Sequence, residues 1–259
     1  MLEFDAETAR ILDNAYQGAD LTRRRQASFD ALGPCPGDTI LDIGCGNGLL
    51  TRELARAVGN EGRVIGIDPS KDMRNAGVNR CRDYKCVEFI DGTANKLPVG
   101  DGFADKAVSV QVFEYIDDIE GAALEAMRTL KPNGRLVISD LHYGSFVWSS
   151  DDPIRMARMR ASFDQHIASG DVPERLPGML KNMGFEIEVV KPVTLTDTIL
   201  KPDGIAIMVM HLMKRYAISN QHVETDVVQE WFAEQQRLAQ EGRFFFSITQ
   251  FVIVARKLG

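Results

Sequence analysis

The sequence predicts an α/β fold with a doubly wound, mostly parallel sheet, and two strand-to-helix units near its start carry this prediction. Residues 39–43 form a short apolar run typical of a buried strand, which a glycine-rich turn and a helical pattern through Val58 follow. Residues 63–67 form a second apolar run, which ends at Asp68 and precedes another helix. Alternating strands and helices are typical of parallel sheets with crossover helices.

The turn after the first strand contains Gly44, Gly46 and Gly48. Glycine reaches backbone conformations that are closed to other residues, and it lets a ligand lie against the main chain. Because the turn opens a helix, its free N–H groups favour a negatively charged or strongly polar group, which predicts a nucleotide-like cofactor. The dinucleotide fingerprint places its last glycine at the sixth position, where this sequence has Leu49.

Asp68 follows the second strand, 20 residues beyond Gly48. A carboxylate at about this offset accepts hydrogen bonds from both ribose hydroxyls of a nucleotide. A second interpretation is that Asp68 caps the helix that starts around Pro69 and Met73.

Three further strands are predicted over residues 87–90, 106–112 and 135–140. Residues 117–120 cap a helix that runs to Leu130, and residues 131–134 form a tight turn. Ligands of open α/β sheets bind at the carboxyl ends of the strands. We therefore expect Gln111 to be the residue of the fourth strand nearest the cofactor.

The pattern Asp42-x-Gly44-x-Gly46-x-Gly48 resembles the first motif of class I S-adenosylmethionine-dependent methyltransferases. Residues 130–136, Leu-Lys-Pro-Asn-Gly-Arg-Leu, are similar to a turn of the same family. The resemblance covers roughly residues 35–141 and is closest to small-molecule enzymes, including those that methylate quinone rings at carbon. It implies a Rossmann-like sheet of seven strands with an antiparallel last strand.

The resemblance also assigns cofactor residues by their match to the family's motifs. Asp42 and the backbone of Gly44, Cys45 and Gly46 are expected to hold the methionine end of S-adenosylmethionine. The adenine is expected at the segment before Leu97-Pro98. The full set of expected cofactor residues is Asp42, Gly44, Cys45, Gly46, Asp68, Pro69, Met73, Asp91, Gly92, Thr93 and Gln111.

Beyond Asp140 the sequence is less specific. Residues 141–148 are expected to leave the fifth strand over the carboxyl edge and to face the methyl acceptor. Helices are predicted around 154–167 and 176–183, and strands over 184–190 and 244–255. Two helical patterns between 202 and 242 predict an inserted helical cap (about 192–242) within the region 142–259; a dimer surface or plain core is the alternative.

The first 34 residues form a predicted helical lid ahead of the core domain at 35–141, with apolar positions at Ile11, Leu12 and Ala15. In the resembling family, a tyrosine and a basic residue of such a helix lie close to the cofactor, and Tyr16 and Arg24 are the candidates. The alternative is that the basic cluster 23–25 is a solvated helix face. The expected acceptor residues are Tyr16, Arg24, Phe113, Tyr143, Trp148 and His166.

Composition narrows the function classes. The net charge of -7 provides no basic field for a nucleic acid, so a small-molecule acceptor is the expected partner. The longest apolar run, 205–210, is too short to span a bilayer, and the N-terminus lacks a secretory signal. Four cysteines without a C-x-x-C pair indicate a reduced, cytoplasmic protein, and the four histidines show no metal-binding spacing.

The leading hypothesis is an S-adenosylmethionine-dependent methyltransferase that transfers a methyl group to a small organic acceptor by direct in-line displacement. A base helps only if the acceptor must lose a proton, and His142 is the first candidate because it follows the fifth strand. His142 could instead hydrogen-bond a neighbour. Two alternatives stay open, namely a non-catalytic S-adenosylmethionine-binding regulatory protein and a nicotinamide-dependent oxidoreductase.

Overall fold

The computed structural model describes residues 14–259, and the start of the predicted N-terminal lid, with Ile11 and Leu12, lies outside the described residues. Residues 14–17 are helical. The helices that follow are α1 (Ala19–Leu32), α2 (Leu49–Val58), α3 (Lys71–Cys81), a short 3-10 helix (Phe113–Tyr115), α4 (Ile119–Thr129), α5 (Pro153–Asp164), α6 (Val172–Asn182), α7 (Ile205–Ser219) and α8 (Thr225–Gln240).

Seven strands form one sheet in the order β3-β2-β1-β4-β5-β7-β6. The pairs β1·β2, β1·β4, β2·β3 and β4·β5 are parallel. The last strand is antiparallel, because Ser149 at the end of β5 bonds Phe245 at the start of β7, and Leu258 at its end bonds Gly184. These observations confirm the predicted fold class. The strands are β1 (Thr39–Ile43), β2 (Arg63–Ile67), β3 (Val87–Ile90), β4 (Ala104–Val110), β5 (Leu130–Trp148), β6 (Phe185–Asp197) and β7 (Phe246–Lys257).

The chain divides into two compact units. The glycine-loop unit comprises Arg25–Leu141, Asp171–Val193 and Phe251–Gly259. The aromatic unit comprises the described residues up to Arg24, His142–Gly170 and Thr194–Gln250. The sequence prediction drew its boundaries at residues 34 and 141, and its assignment of a lid and a cap stays a prediction.

The core of the glycine-loop unit is built on central strands whose side chains are buried on both faces, as expected for parallel strands. On one face the ring of Phe89 fills a space that only glycines leave open. A Cβ on Gly48 would lie 3.1 Å from this ring and one on Gly66 2.7 Å from it, and a Cβ on Gly77 would overlap it. Three glycines thus let α2, β2 and α3 pack closely around one phenylalanine.

The core of the aromatic unit is a group of rings around Trp148. The Trp148 ring lies 4.8 Å from the ring of Phe246, 5.5 Å from Phe146 and 5.7 Å from Trp231, between centroids. Its indole Nε1 donates a hydrogen bond of 2.8 Å to Gln235 Oε1, so the polar end of the buried ring is satisfied.

The C-terminal strands are longer than the sequence prediction. Residues 141–148 were expected to leave the sheet, but β5 continues to Trp148 because its end pairs with β7. Likewise β6 continues to Asp197 instead of ending at residue 190. The predicted turn at 131–134 lies within β5, where the register with β4 shifts and Asn133 has a φ of 63°.

Candidate functional site

The glycine loop between β1 and α2 has the left-handed backbone that its sequence requires. Gly44, Gly46 and Gly48 have φ angles of 70°, 52° and 77°. A Cβ on Gly44 would overlap the side chain of Val112, whereas one on Gly46 would meet no atom within 4 Å. Gly44 is therefore required by packing, and Gly46 leaves open space beside the main chain for a ligand.

The start of α2 is suited to a polar or anionic group. Its N-terminal cap is Gly48, which offers no side-chain hydrogen bond, and the first turn contains no acidic residue. The N–H groups of this turn have no partner within the helix, and the helix dipole adds a positive potential at this end.

Asp68 lies next to this loop at the end of β2. Its Oδ2 accepts a hydrogen bond of 3.0 Å from the Gly46 N–H, and its Oδ1 accepts one of 2.8 Å from the Ser70 N–H. The cap of α3 is Ser70, whose Oγ accepts from the Met73 N–H. The alternative that Asp68 itself caps this helix is therefore wrong, since the helix begins at Lys71 and its cap is Ser70.

Arg74 is a residue that the sequence analysis missed. Its guanidinium donates to the backbone oxygen of Asp68 (2.7 Å) and to the carboxylate of Asp91 (2.9 Å). It thereby joins the ends of β2 and β3, where two expected cofactor residues lie. The sequence signal that could have found Arg74 was a basic residue one turn into the helix that follows Asp68.

Asp42, expected to touch the cofactor, is 2% exposed at the end of β1. Its Oδ2 accepts a hydrogen bond of 2.6 Å from Thr51 Oγ1 in α2. Burial raises the pKa of this carboxyl to about 7, against the lowering effect of the Thr51 bond. Asp42 therefore ties α2 to β1, and its expected contact with the cofactor stays a prediction.

The remaining expected cofactor residues surround the loop and the ends of β2 and β3. Cys45 is buried, and burial raises the pKa of its thiol, so it is no reactive thiolate. Pro69 and Met73 are exposed. Gly92 is required by packing, since a Cβ there would lie 2.8 Å from Pro98 Cδ. The backbone of Thr93 accepts from the Lys96 N–H.

Gln111, at the end of β4, has a φ of 56°, which is uncommon for a residue other than glycine. Two buried acids that the sequence analysis missed, Glu114 and Asp140, lie beside it. Gln111 Nε2 donates to Glu114 Oε1 at 3.5 Å, and Asp140 Oδ1 accepts from the Glu114 N–H at 3.2 Å. Burial and the nearby Glu114 carboxylate raise the pKa of Asp140 well above its usual range.

The expected acceptor residues of the aromatic unit divide into partly exposed and buried groups. His142 and Tyr143 are half-buried near the end of β5, and a Cβ on Gly144 would lie 2.6 Å from the His142 ring. His166 stacks on Phe163, with ring centroids 4.0 Å apart, and burial lowers its pKa. Tyr16 is 39% exposed.

Three expected acceptor residues have buried side chains. Phe113 is fully buried in the hydrophobic core of the glycine-loop unit, and Trp148 lies within the ring cluster described above. Both rings are packed against other core side chains, and their assignment to the acceptor pocket stays a prediction. Arg24 is 4% exposed on α1.

Known proteins resemble this chain in sequence and in fold. A family model described as "Methyltransferase domain" matches residues 41–138, from the last residues of β1 into β5. An uncharacterized 37.1 kDa protein in transposon TN4556 of Streptomyces fradiae is 32% identical over 90% of this chain and 66% of its own length. The ubiquinone/menaquinone biosynthesis C-methyltransferase UbiE of Vibrio campbellii is 32% identical over 49% of this chain.

Residues 41–138 of this chain match a methyltransferase domain. This segment contains every residue that the sequence analysis assigned to the cofactor. A putative methyltransferase from Bacillus halodurans has the same fold, with a TM-score of 0.64 at 19% identity over 93% of this chain and 100% of the other. The chain spans 66% of the Streptomyces relative and 51% of the Vibrio relative.

The matched domain and the UbiE relative confirm the predicted resemblance to methyltransferases, and S-adenosylmethionine as the cofactor of that family. Within the described residues 14–259, no group of three or more histidine, cysteine, aspartate or glutamate side chains could hold a metal ion. Among the same residues, no helix is long and apolar enough to cross a membrane.

Proposed function

We propose that this chain is an S-adenosylmethionine-dependent methyltransferase that methylates a small organic acceptor by direct in-line displacement. The observation that carries the proposal is the open space at Gly46, beside the Asp68 carboxylate and the start of α2. A carboxylate and a set of helix N–H groups match the ribose hydroxyls and the amino-acid carboxylate of this cofactor.

The residues present fit this cofactor. The backbone of Gly44–Gly46 and the first turn of α2 would hold its methionine part, and Asp68 would accept hydrogen bonds from the ribose. The adenine would lie against the segment 91–93, with Arg74 fixing the Asp91 carboxylate. S-adenosylmethionine supplies a methyl group that is already electrophilic because a sulfonium carries it.

The chain's own contribution is then to hold two reactants in line and to exclude water, which can supply ~7–11 kcal/mol of the barrier. His142 is proposed as the base for an acceptor that must lose a proton. Tyr16, Arg24, Phe113, Tyr143, Trp148 and His166 are proposed acceptor contacts. The net charge of -7 supports a small acceptor over a nucleic acid.

The first test is calorimetric titration of the chain with S-adenosylmethionine, repeated on Asp68→Ala. Because the carboxylate bonds are charge-assisted, we expect the variant to bind at least ~10-fold more weakly. Asp72→Ala is the matched control, since it removes the same charge from an exposed position of α3. A wild-type chain that binds reduced nicotinamide dinucleotide and not S-adenosylmethionine would refute the proposal.

The second test measures formation of S-adenosylhomocysteine with candidate acceptors. Precursors of ubiquinone and menaquinone come first, because the name of the Vibrio relative contains them. We expect His142→Asn to keep cofactor affinity and to lose turnover. Tight cofactor binding without turnover on any acceptor would favour the alternative of a regulatory S-adenosylmethionine-binding protein.

A further inference from the structure

We propose that Glu114 and Asp140 are positioning residues that brace the ends of β4 and β5 and hold Gln111 in its left-handed conformation at the cofactor edge. This inference rests on the proposed function, because it concerns the residue of β4 expected nearest S-adenosylmethionine. Neither acid lies in the glycine loop or among the expected cofactor residues.

The brace consists of reciprocal hydrogen bonds between the two chain segments. Asp140 Oδ1 on β5 accepts from the Val112 N–H (3.1 Å) and the Glu114 N–H (3.2 Å), both just after β4. In return, Glu114 Oε2 accepts from the Leu141 N–H on β5 (3.0 Å). Each acid therefore binds the backbone beside the other, and neither strand end can move without breaking these bonds.

Gln111 lies between the regular part of β4 and this brace. Its own N–H donates to the Ser139 oxygen at 2.8 Å, and its side chain donates to Glu114 Oε1. A glutamine with a φ of 56° is strained, and such strain persists only where surrounding contacts fix the conformation. Bonds on both sides of Gln111 provide that constraint.

The same turn also contacts the glycine loop. Val112, whose N–H the Asp140 carboxyl holds, is the residue whose side chain a Cβ on Gly44 would overlap. Displacement of Val112 would therefore disturb the backbone that is proposed to hold the methionine part of the cofactor.

Two buried acids in contact are unfavourable for folding, since each loses its hydration and they repel each other when both are ionised. Glu114 is 0% exposed and Asp140 1% exposed. The two backbone N–H groups that donate to the Asp140 carboxyl group offset part of this cost of burial. The brace requires of residue 140 an acceptor oxygen at this position more than it requires a negative charge.

The experiment compares Asp140→Asn, Asp140→Ala and Val137→Ala. Asparagine keeps an acceptor oxygen for the two N–H groups, alanine removes it, and Val137→Ala weakens β5 three residues earlier without touching the brace. Affinity for S-adenosylmethionine and hydrogen exchange of the Val112 and Glu114 amides in the ligand-free chain are measured at a temperature where all variants are folded by circular dichroism.

We expect Asp140→Ala to lose protection at both amides and to bind the cofactor at least ~10-fold more weakly. Asp140→Asn should keep the protection of both amides and the affinity for S-adenosylmethionine within about threefold of the wild type. Val137→Ala should lower the melting temperature and leave both readouts unchanged.

The outcomes separate this inference from the proposed function. A wild-type chain that does not bind S-adenosylmethionine refutes the proposed function and the positioning role together, whereas the exchange data still decide whether the brace exists. A wild-type chain that binds, with Asp140→Ala binding equally well, refutes the positioning role alone.

Discussion

The glycine-loop unit and the aromatic unit bury their acids in different ways. In the glycine-loop unit, Asp42 accepts from a hydroxyl, and Asp140 accepts from backbone N–H groups beside a second acid. In the aromatic unit, Asp197 is fully buried but forms an ion pair of 2.6 Å with Lys201 and accepts from the Ala206 N–H. The buried acids of the first unit thus accept from hydroxyl and backbone N–H groups, whereas the buried acid of the second unit pairs with a cation.

The largest expected effect tests this difference between Asp42 and Asp197. The pKa of Asp42 is raised from 3.8 to about 7 in the folded chain, so the folded state binds more protons than the unfolded state between these values. Stability contributed by the protonated group is therefore full below about pH 4 and is lost as pH rises through about 7. We expect Asp42→Asn to stabilise the fold at about pH 8 by about 2–4 kcal/mol, with no gain near about pH 4.

Asp197→Asn should act in the opposite direction, because it breaks the short ion pair with Lys201 and leaves that ammonium the longer contact of 3.7 Å with Asp20. We expect a loss of about 1–3 kcal/mol at neutral pH. Urea unfolding of both variants across the pH range measures the two effects. If both variants changed the free energy of unfolding in the same direction, the distinction between the two units would be contradicted.

A smaller effect is expected at two glycines that have similar backbone conformations. Gly46 in the loop and Gly242 after α8 have φ angles of 52° and 69°, and a Cβ on either would meet no atom within 4 Å. Alanine at either position should cost about 1–2 kcal/mol of stability, because both conformations disfavour a side chain. Only Gly46→Ala should weaken S-adenosylmethionine binding, as calorimetry would show; equal binding by both variants would contradict the placement of the cofactor at the loop.

The smallest effect concerns the cap of α3. Ser70 accepts one long bond of 3.4 Å from the Met73 N–H, whereas Asp152 in the aromatic unit accepts from Ile154 (3.1 Å) and Arg155 (2.9 Å) at the start of α5. Thermal unfolding should show a loss of about 0.5 kcal/mol for Ser70→Ala and about 1 kcal/mol for Asp152→Ala. If Ser70→Ala binds the cofactor as tightly as the wild type, then the helix cap at Ser70 and the proposed ribose contact at Asp68 have separate roles.

The units also differ in how far the sequence predicts them. The β1–α2 and β2–α3 segments were predictable because short apolar runs are bounded by glycine and by Asp68, and local chemistry decides both. The length of β5 was not predictable, because Gly144 and Ser145 interrupt the apolar pattern beyond Leu141 and because pairing with the distant β7 extends the strand.

The candidate site shows the same limit. Phe113 and Trp148 were assigned to a pocket because aromatic residues line both pockets and cores, and only packing separates the two. The contact between Glu114 and Asp140 joins residues 26 positions apart, through the parallel pairing of β4 and β5. A sequence without its topology does not bring them together.

The two hydrogen bonds of Asp68 have a consequence for the kinetics of binding. Both carboxylate oxygens are held by backbone N–H groups of the chain itself, from Gly46 and from Ser70. An arriving ribose then meets a group whose side-chain entropy is already lost, so little ordering has to follow the encounter. We expect association in a single phase without a slow rearrangement, and differences in affinity among cofactor analogues to lie mainly in their residence times.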